Sequence, residues 1–267
     1  METPDYITLN RDSWNKRTDY HLTSAFYDLD NFKSGANSLT EIELPLLGDL
    51  NGRSVLHLQC HFGQDTLSLA RLGAKVTGVD LSDNAIENAR KLATELNLEA
   101  EFICCNLYDL PQHVDRQFDV VFTSYGTIGW LPDLQAWAKI IAQFLKPGGK
   151  FVFAEFHPVV WMYDNDFSRI AYSYFKTEAI VEEETGTYAE KNAPFTHTSV
   201  TWNHGLSEVI NSLLQNNLEL NLLNEYNFSP YKCLNHMEQI APNRYQLKPF
   251  GDKAPLVYAL VATKKSR

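Results

Sequence analysis

The chain has 267 residues, enough to bury a sizeable core without staples, and its four cysteines show no metal-ligand spacing. A formal charge of −10 argues against a protein built to grip a phosphate backbone, so no nucleic-acid partner is expected. No run reaches the roughly 18 apolar residues of a transmembrane helix, and residues 1–9 lack the basic and apolar parts of a signal peptide. The expectation is a cytoplasmic protein with reduced thiols, no bound metal, no membrane partner and an oligomeric state left open.

Residues 1–45 set Trp14, Tyr20, His21, Tyr27 and Phe32 among polar residues and read as an amino-terminal lid or collar. From residue 46 to 267 the chain reads as one α/β domain. Residues 53–58 (RSVLHL) are a buried strand, and 65–72 a short helix. Residues 75–80 (KVTGVD) are a second strand. The helix over 83–97 follows, capped by Ser82 or Asp83, with Ile86, Ala89, Leu92, Ala93 and Leu96 on one face. Strands over 101–105 and 118–124 precede a helix over 134–145 that carries Trp137, Ile141 and Phe144 inward, stopped by Lys146-Pro147-Gly148-Gly149. Residues 150–156 are the fifth strand. This alternation predicts right-handed βαβ units and a parallel sheet covered on both faces.

Beyond His157-Pro158 the pattern changes. Residues 159–203 form an aromatic-rich insertion, in which 172–184 and 196–203 read as antiparallel strands around a Gly186 loop. A helix over 206–217 and strands over 219–226 and 256–263 close the chain. Residues 227–254, with three prolines and little periodicity, read as a functional loop.

In an open parallel sheet ligands bind beyond the carboxyl ends of the strands. There the first turn runs Gln59-Cys60-His61-Phe62-Gly63-Gln64, and Asp80, about twenty residues on, can accept hydrogen bonds from both hydroxyls of a ribose. Asn106 and Leu107 follow the third strand, so the three loops would line one nucleoside-shaped cleft.

VLHLQCHFG, GAKVTGVDLSDNAIENAR, CCNLYDLP, FDVVFTS and LKPGGKFVF together resemble the class I S-adenosylmethionine-dependent methyltransferases, strongly over about residues 50–157. The resemblance implies a Rossmann-like, seven-stranded, mostly parallel sheet with an antiparallel last strand, and S-adenosyl-L-methionine as cofactor. It implies cofactor contacts from Gln59, Cys60, His61, Gly63, Gln64, Asp80, Leu81, Asn106, Leu107 and Ser124. The first loop departs from the family pattern. His57 stands where an acid is usual, and Gln59 and His61 replace two of three glycines, so both must take ordinary dihedrals or accept strain.

Methyl transfer from a sulfonium is an in-line displacement, assisted by alignment, exclusion of water and removal of the acceptor's proton. Period 2 puts Glu155 and His157 on one side of the fifth strand's carboxyl end, which makes His157, supported by Glu155, the expected base for an oxygen or nitrogen acceptor. The acceptor is expected to be a small molecule, covered by the aromatic insertion. Two rivals share the geometry: a non-catalytic binding protein of the same fold, and a nicotinamide-dependent oxidoreductase, against which the missing glycines and LKPGG argue.

Overall fold

A computed structural model describes residues 5–266; the first four residues of the expected lid, which also open the segment read for a signal peptide, and Arg267 lie outside the described residues. Three helices come first, α1 (Tyr6–His21), α2 (Leu29–Lys33) and α3 (Leu44–Leu47). The alternating part follows as β1 (Ser54–Leu58), α4 (Gln64–Arg71), β2 (Lys75–Asp80), α5 (Asp83–Glu95), β3 (Ala100–Cys104), β4 (Phe118–Ser124), α6 (Leu134–Phe144) and β5 (Leu145–Phe156). The remainder is β6 (Ile180–Thr185), β7 (Thr196–Thr201), α7 (Leu206–Gln215), β8 (Leu218–Tyr226), β9 (Met237–Ala241), β10 (Arg244–Leu247) and β11 (Val257–Lys264).

Seven strands join in the order β3-β2-β1-β4-β5-β11-β8. The pairs β1–β2, β2–β3, β1–β4 and β4–β5 are parallel, and β11 runs antiparallel to both β5 and β8. The expected Rossmann-like sheet with an antiparallel last strand is therefore present. Val55 pairs with Val76 on one side and Val120 on the other, so strand order reverses at β1. Burial on both faces explains the near-continuous apolar runs: Val55, Leu56 and Leu58 are fully buried, as are Val121 and Phe122.

The local signals act as their chemistry predicts. Ser82 caps α5 by accepting from Ala85 N at 3.0 Å, and Asp133 caps α6 by accepting from Gln135 N and Ala136 N. Trp137 is completely buried against Phe151 and Phe153. Asp119, at the head of β4, accepts from Ser54 N, Ser54 Oγ and Lys146 Nζ, tying β1 to the start of β5.

Three expectations need correction. β5 begins at Leu145, and its ladder with β4 jumps from Phe118↔Leu145 to Val120↔Lys150, so the Pro-Gly-Gly turn is a bulge in the strand instead of a stop before it. The strand expected over 172–184 is confined to Ile180–Thr185, where it pairs with β7. Within 227–254 the chain folds a two-stranded hairpin, β9–β10, that the weak periodicity did not announce.

Segment 1–45 contributes α1, whose buried residues are Asn10, Ser13, Arg17, Thr18 and His21. The face is helical in spacing but polar in composition. It docks through hydrogen bonds: Asn10 exchanges two with the backbone of Val200, and Ser13 Oγ meets His197 Nδ1 at 3.1 Å.

Candidate active site

The carboxyl ends of β1, β2, β4 and β5 open into one cavity of about 770 Å³. Its floor is the turns after those strands and after β3. Its roof comes from α1, the stretch around Phe26 and Tyr27, the β6–β7 hairpin and the segment around Tyr231. The position is the topological switch point, where an open α/β sheet offers the most room for a ligand.

The turn after β1 is built on left-handed backbone. Gln59 has φ +54°, His61 +51° and Gly63 +83°. The two positions that lack the family's glycine therefore keep the glycine conformation, at a cost of order 1–3 kcal/mol each. Surrounding bonds hold them there: His61 N donates to Asp80 Oδ2 at 2.7 Å, and Gln59 Nε2 donates to Thr127 O at 2.9 Å. Gly63 is required twice over, since a Cβ there would lie 2.8 Å from the Phe102 ring. Beneath the turn, His57 meets Thr66 Oγ1 at 2.8 Å, and burial pushes its pKa down to about 3. A neutral imidazole thus occupies the position of the family's acid.

Asp80 ends β2 with each carboxylate oxygen taking one backbone donor, Ser82 N at 2.9 Å on Oδ1 and His61 N on Oδ2. Burial raises its pKa, and the N–H groups of Ser82, His61 and Leu81 oppose that rise. Ser82 alone caps α5, so Asp80 is not spent as a helix cap, and an ionised carboxylate keeps lone pairs for further donors. Asn106 Oδ1 accepts from Tyr108 N at 3.2 Å, an Asx turn that starts the helical turn Leu107–Gln112. Leu107 is buried beside it.

Cys60, Leu81, Asn106 and Leu107 all line the cavity, as do Gly63, Gln64 and Ser124. Gln64 Nε2 is committed to Tyr27 O at 2.8 Å, which ties the roof to the floor, and Ser124 Oγ donates to Asp65 Oδ2 at 3.2 Å.

Glu155 and His157 are not brought together. Glu155 accepts from the backbone N–H groups of Gly126, Thr127, Ile128 and Phe156 and from Thr127 Oγ, shaping the turn after β4. His157 points across the sheet edge instead, its Nε2 2.9 Å from Glu225 Oε1 on β8 and its Nδ1 accepting from Val159 N. It is not among the residues that line the cavity. The alternation argument fails here because His157 N already bonds Leu256 O beyond the end of the strand, where the pleat no longer sets direction.

The roof holds residues that hydrophobic patterning does not reveal. Arg17 is paired with Glu184 at 3.0 Å and lies over the rings of Trp14 and Trp130, each about 5 Å away. His61 Nε2 meets His21 Nδ1 at 2.9 Å, and His21 Nε2 meets Thr187 Oγ1 at 2.8 Å, a chain from the first loop through α1 to the insertion. Burial holds both rings neutral, pushing His61 down to about 3 and His21 to about 2. His204 also reaches the lining, but both its nitrogens are committed, to Glu208 and Leu131 O. The clustering of Trp14, His21 and Tyr27 in an otherwise polar segment was the available signal; nothing marked Arg17.

Residues 55–149 match the family model described as a methyltransferase domain. This part of the chain is a methyltransferase domain. It resembles the ubiquinone biosynthesis O-methyltransferase of Idiomarina loihiensis, 31% identical over 137 residues, which are 50% of this chain and 56% of that protein. It also resembles the demethylmenaquinone methyltransferase of Lactococcus lactis, 38% identical over 135 residues, 49% of this chain and 51% of that one. The chain thus spans about half the length of the curated relatives it matches. Two solved structures share the fold over nearly the whole chain. A geranyl diphosphate C-methyltransferase from Streptomyces coelicolor has TM-score 0.62 at 16% identity, covering 98% of each chain. An S-adenosylmethionine-dependent methyltransferase from Clostridium acetobutylicum has TM-score 0.59 at 13% identity, covering 95% of this chain and 100% of that one. Most of the roof lies outside the methyltransferase domain match.

Proposed function

We propose that the protein is an S-adenosylmethionine-dependent methyltransferase acting on a small-molecule acceptor. The observation that carries this reading is a set of three buried polar atoms without partners among the described residues, Arg17 Nε, Gln59 Oε1 and His61 Nδ1, on residues that line one cavity at the switch point. Buried polar atoms in a native protein are satisfied by something. An α-amino acid group answers two of these demands at once, its carboxylate accepting from Arg17 and its ammonium donating to Gln59. Asp80 supports the same ligand through the ribose hydroxyls, and Asn106 with Leu107 through an adenine. Cys60, Gly63, Gln64 and Leu81 supply the wall, and Ser124 marks where donor and acceptor meet.

The cofactor supplies a methyl group activated on a sulfonium. The chain's own residues orient it, exclude water with the aromatic roof, and remove a proton from the acceptor. The two relatives named above, a ubiquinone biosynthesis O-methyltransferase and a demethylmenaquinone methyltransferase, support a small molecule as acceptor. The negative net charge supports the same choice over a nucleic acid.

Calorimetric titration with S-adenosylmethionine and with S-adenosylhomocysteine tests the reading. One site per chain is expected, and Asp80→Ala should weaken binding by about a hundredfold or more, the worth of two hydrogen bonds to a charged group. A folded protein giving no heat with either ligand would sink the proposal. Tight binding without methyl transfer to any member of a broad acceptor panel would favour a non-catalytic binding protein, and binding of a nicotinamide dinucleotide an oxidoreductase.

A further inference from the structure

The part of the cavity nearest Ser124 has a composition of its own. Phe26 stands 5.1 Å from Tyr27, 5.3 Å from Tyr188 and 5.7 Å from Tyr231, ring centre to ring centre, and Tyr231 stands 5.1 Å from Tyr125. These five rings come from four separate stretches of chain, and all line the cavity together with Asp65. Three of the four phenol groups are turned to one another or to the wall. Tyr27 and Tyr188 share a hydrogen bond at 2.5 Å, and Tyr125 donates to Glu43 at 2.8 Å. The space is therefore bounded by aromatic surfaces whose hydroxyls are in part already used.

Asp65 has no cation. Its carboxylate accepts from Ser124 Oγ, and among the described residues it forms no ion pair; neither does Glu43 behind Tyr125. The cation on the roof, Arg17, is already neutralised by Glu184. A carboxylate away from water needs a positive partner, a proton or a set of hydrogen-bond donors such as surrounds Glu155, and ring faces attract cations through their quadrupole. Carboxylates and ring faces together disfavour the oxyanion that O-methylation of a phenol or alcohol develops.

We propose that the methyl acceptor is an amine that enters this chamber as its ammonium ion, its charge on Asp65 and its substituents against the faces of Phe26, Tyr27, Tyr125, Tyr188 and Tyr231. The inference rests on the methyltransferase reading above and names its substrate class. Asp65 takes the ammonium proton and becomes a carboxylic acid, which frees the nitrogen lone pair. That pair forms the new N–C bond while the methyl C–S bond breaks with its electrons on sulfur. The products are the methylated ammonium ion and S-adenosylhomocysteine, and Asp65 returns its proton to water as they leave. Burial raises the pKa of Asp65, which suits a carboxylate asked to hold a proton for part of the cycle.

The test compares choline with its uncharged isostere 3,3-dimethylbutan-1-ol by calorimetry, with and without saturating S-adenosylhomocysteine. Choline should bind about tenfold or more tightly than the isostere. Asp65→Asn should remove that preference while leaving affinity for S-adenosylhomocysteine within about threefold, which also shows that the variant is folded. Tyr231→Phe should keep the preference and Tyr231→Leu should reduce it. With labelled methyl donor, primary and secondary amines should be labelled in preference to phenols and hydroquinones. Equal binding of choline and isostere, or label passing to phenols alone, would overturn the proposal. So would an Asp65→Asn variant that loses S-adenosylhomocysteine but not choline, since Asp65 would then serve the donor. Failure of S-adenosylhomocysteine to bind at all would strike the methyltransferase reading, while the choline comparison without it still judges the chamber.

Discussion

Gly63→Ala puts one methyl group into the turn that leads from β1 to α4. The new Cβ would lie 2.8 Å from Cε1 and Cζ of Phe102 and 3.0 Å from the Cβ of Ala89, at a backbone φ of +83°. The left-handed conformation costs an alanine about 1 kcal/mol relative to glycine. Phe102 is buried and cannot swing into solvent, so relieving the contact adds the 1–3 kcal/mol typical of an overpacked core. Together these give about 2–4 kcal/mol, a large share of an ordinary domain's stability. Urea denaturation of the wild type, Gly63→Ala, Phe102→Leu and the double variant separates the two costs. Phe102→Leu makes room, so the double variant should be more stable than the sum of the single changes predicts, by about 1 kcal/mol or more. The backbone cost should persist in it. Affinity for S-adenosylhomocysteine should fall in Gly63→Ala, because the turn that would hold the ligand must shift. An additive cycle, or a Gly63→Ala protein as stable as the wild type, would refute the claim that Phe102 sets the position of this turn.

His157→Ala should leave affinity for S-adenosylhomocysteine, and any turnover, within about threefold, because the ring faces Glu225 and not the cavity; its cost should be about 1 kcal/mol of stability, read from the urea midpoint. A tenfold loss of turnover at unchanged cofactor affinity would restore His157 to the mechanism. The buried His57, His61 and His21 are held neutral, so the unfolded chain binds protons that the folded chain refuses. Their contribution is present above the ordinary histidine value of 6.5 and is lost progressively as pH falls toward about 3. Denaturation midpoints measured from pH 7.5 down to 5 should therefore drop; a flat profile would refute the assigned neutrality. Asp119 adds a smaller slope at lower pH. Burial works to raise its pKa, but Ser54 and Lys146 outweigh it and hold the carboxyl well below its usual range. Its contribution is therefore present above about pH 4 and is lost as pH falls below that. Asp119→Asn should flatten this acid limb, by less than about 1 kcal/mol because the group is partly exposed and screened by water.

The central sheet could be read from the chain because both sides of each strand are buried and each intervening helix carries an apolar stripe. Runs such as RSVLHL and the face Ile86, Ala89, Leu92, Ala93 leave little else for those segments to do. Asp80 and Asn106 could be placed for the same reason, since a strand end fixes where the next residue goes. The roof could not be read in this way. α1 buries Asn10, Ser13, Arg17, Thr18 and His21, so a search for apolar periodicity passes over it. The hairpin β9–β10 exposes three of the five residues of β9 and has no alternation strong enough to show. Glu155 and His157 failed differently. Their residue types suggested chemistry, but five donors around Glu155 and the carboxylate of Glu225 beside His157 gave each a partner from a part of the chain no local pattern connects.

The polar underside of α1 has a consequence for traffic into the cavity. Detaching a helix seated on leucines wets a large apolar area, and so carries a heat-capacity and denaturant signature. Detaching α1 would exchange the bonds of Asn10, Ser13 and His21 for bonds to water and would also part the ring pairs Tyr6–Trp202, Trp14–Trp130 and Tyr20–Phe195. Such a door is latched partly by polar groups and partly by rings. Amide exchange along α1 should then be faster than in α5 and depend less on low urea than global unfolding does, the mark of a small opening distinct from it.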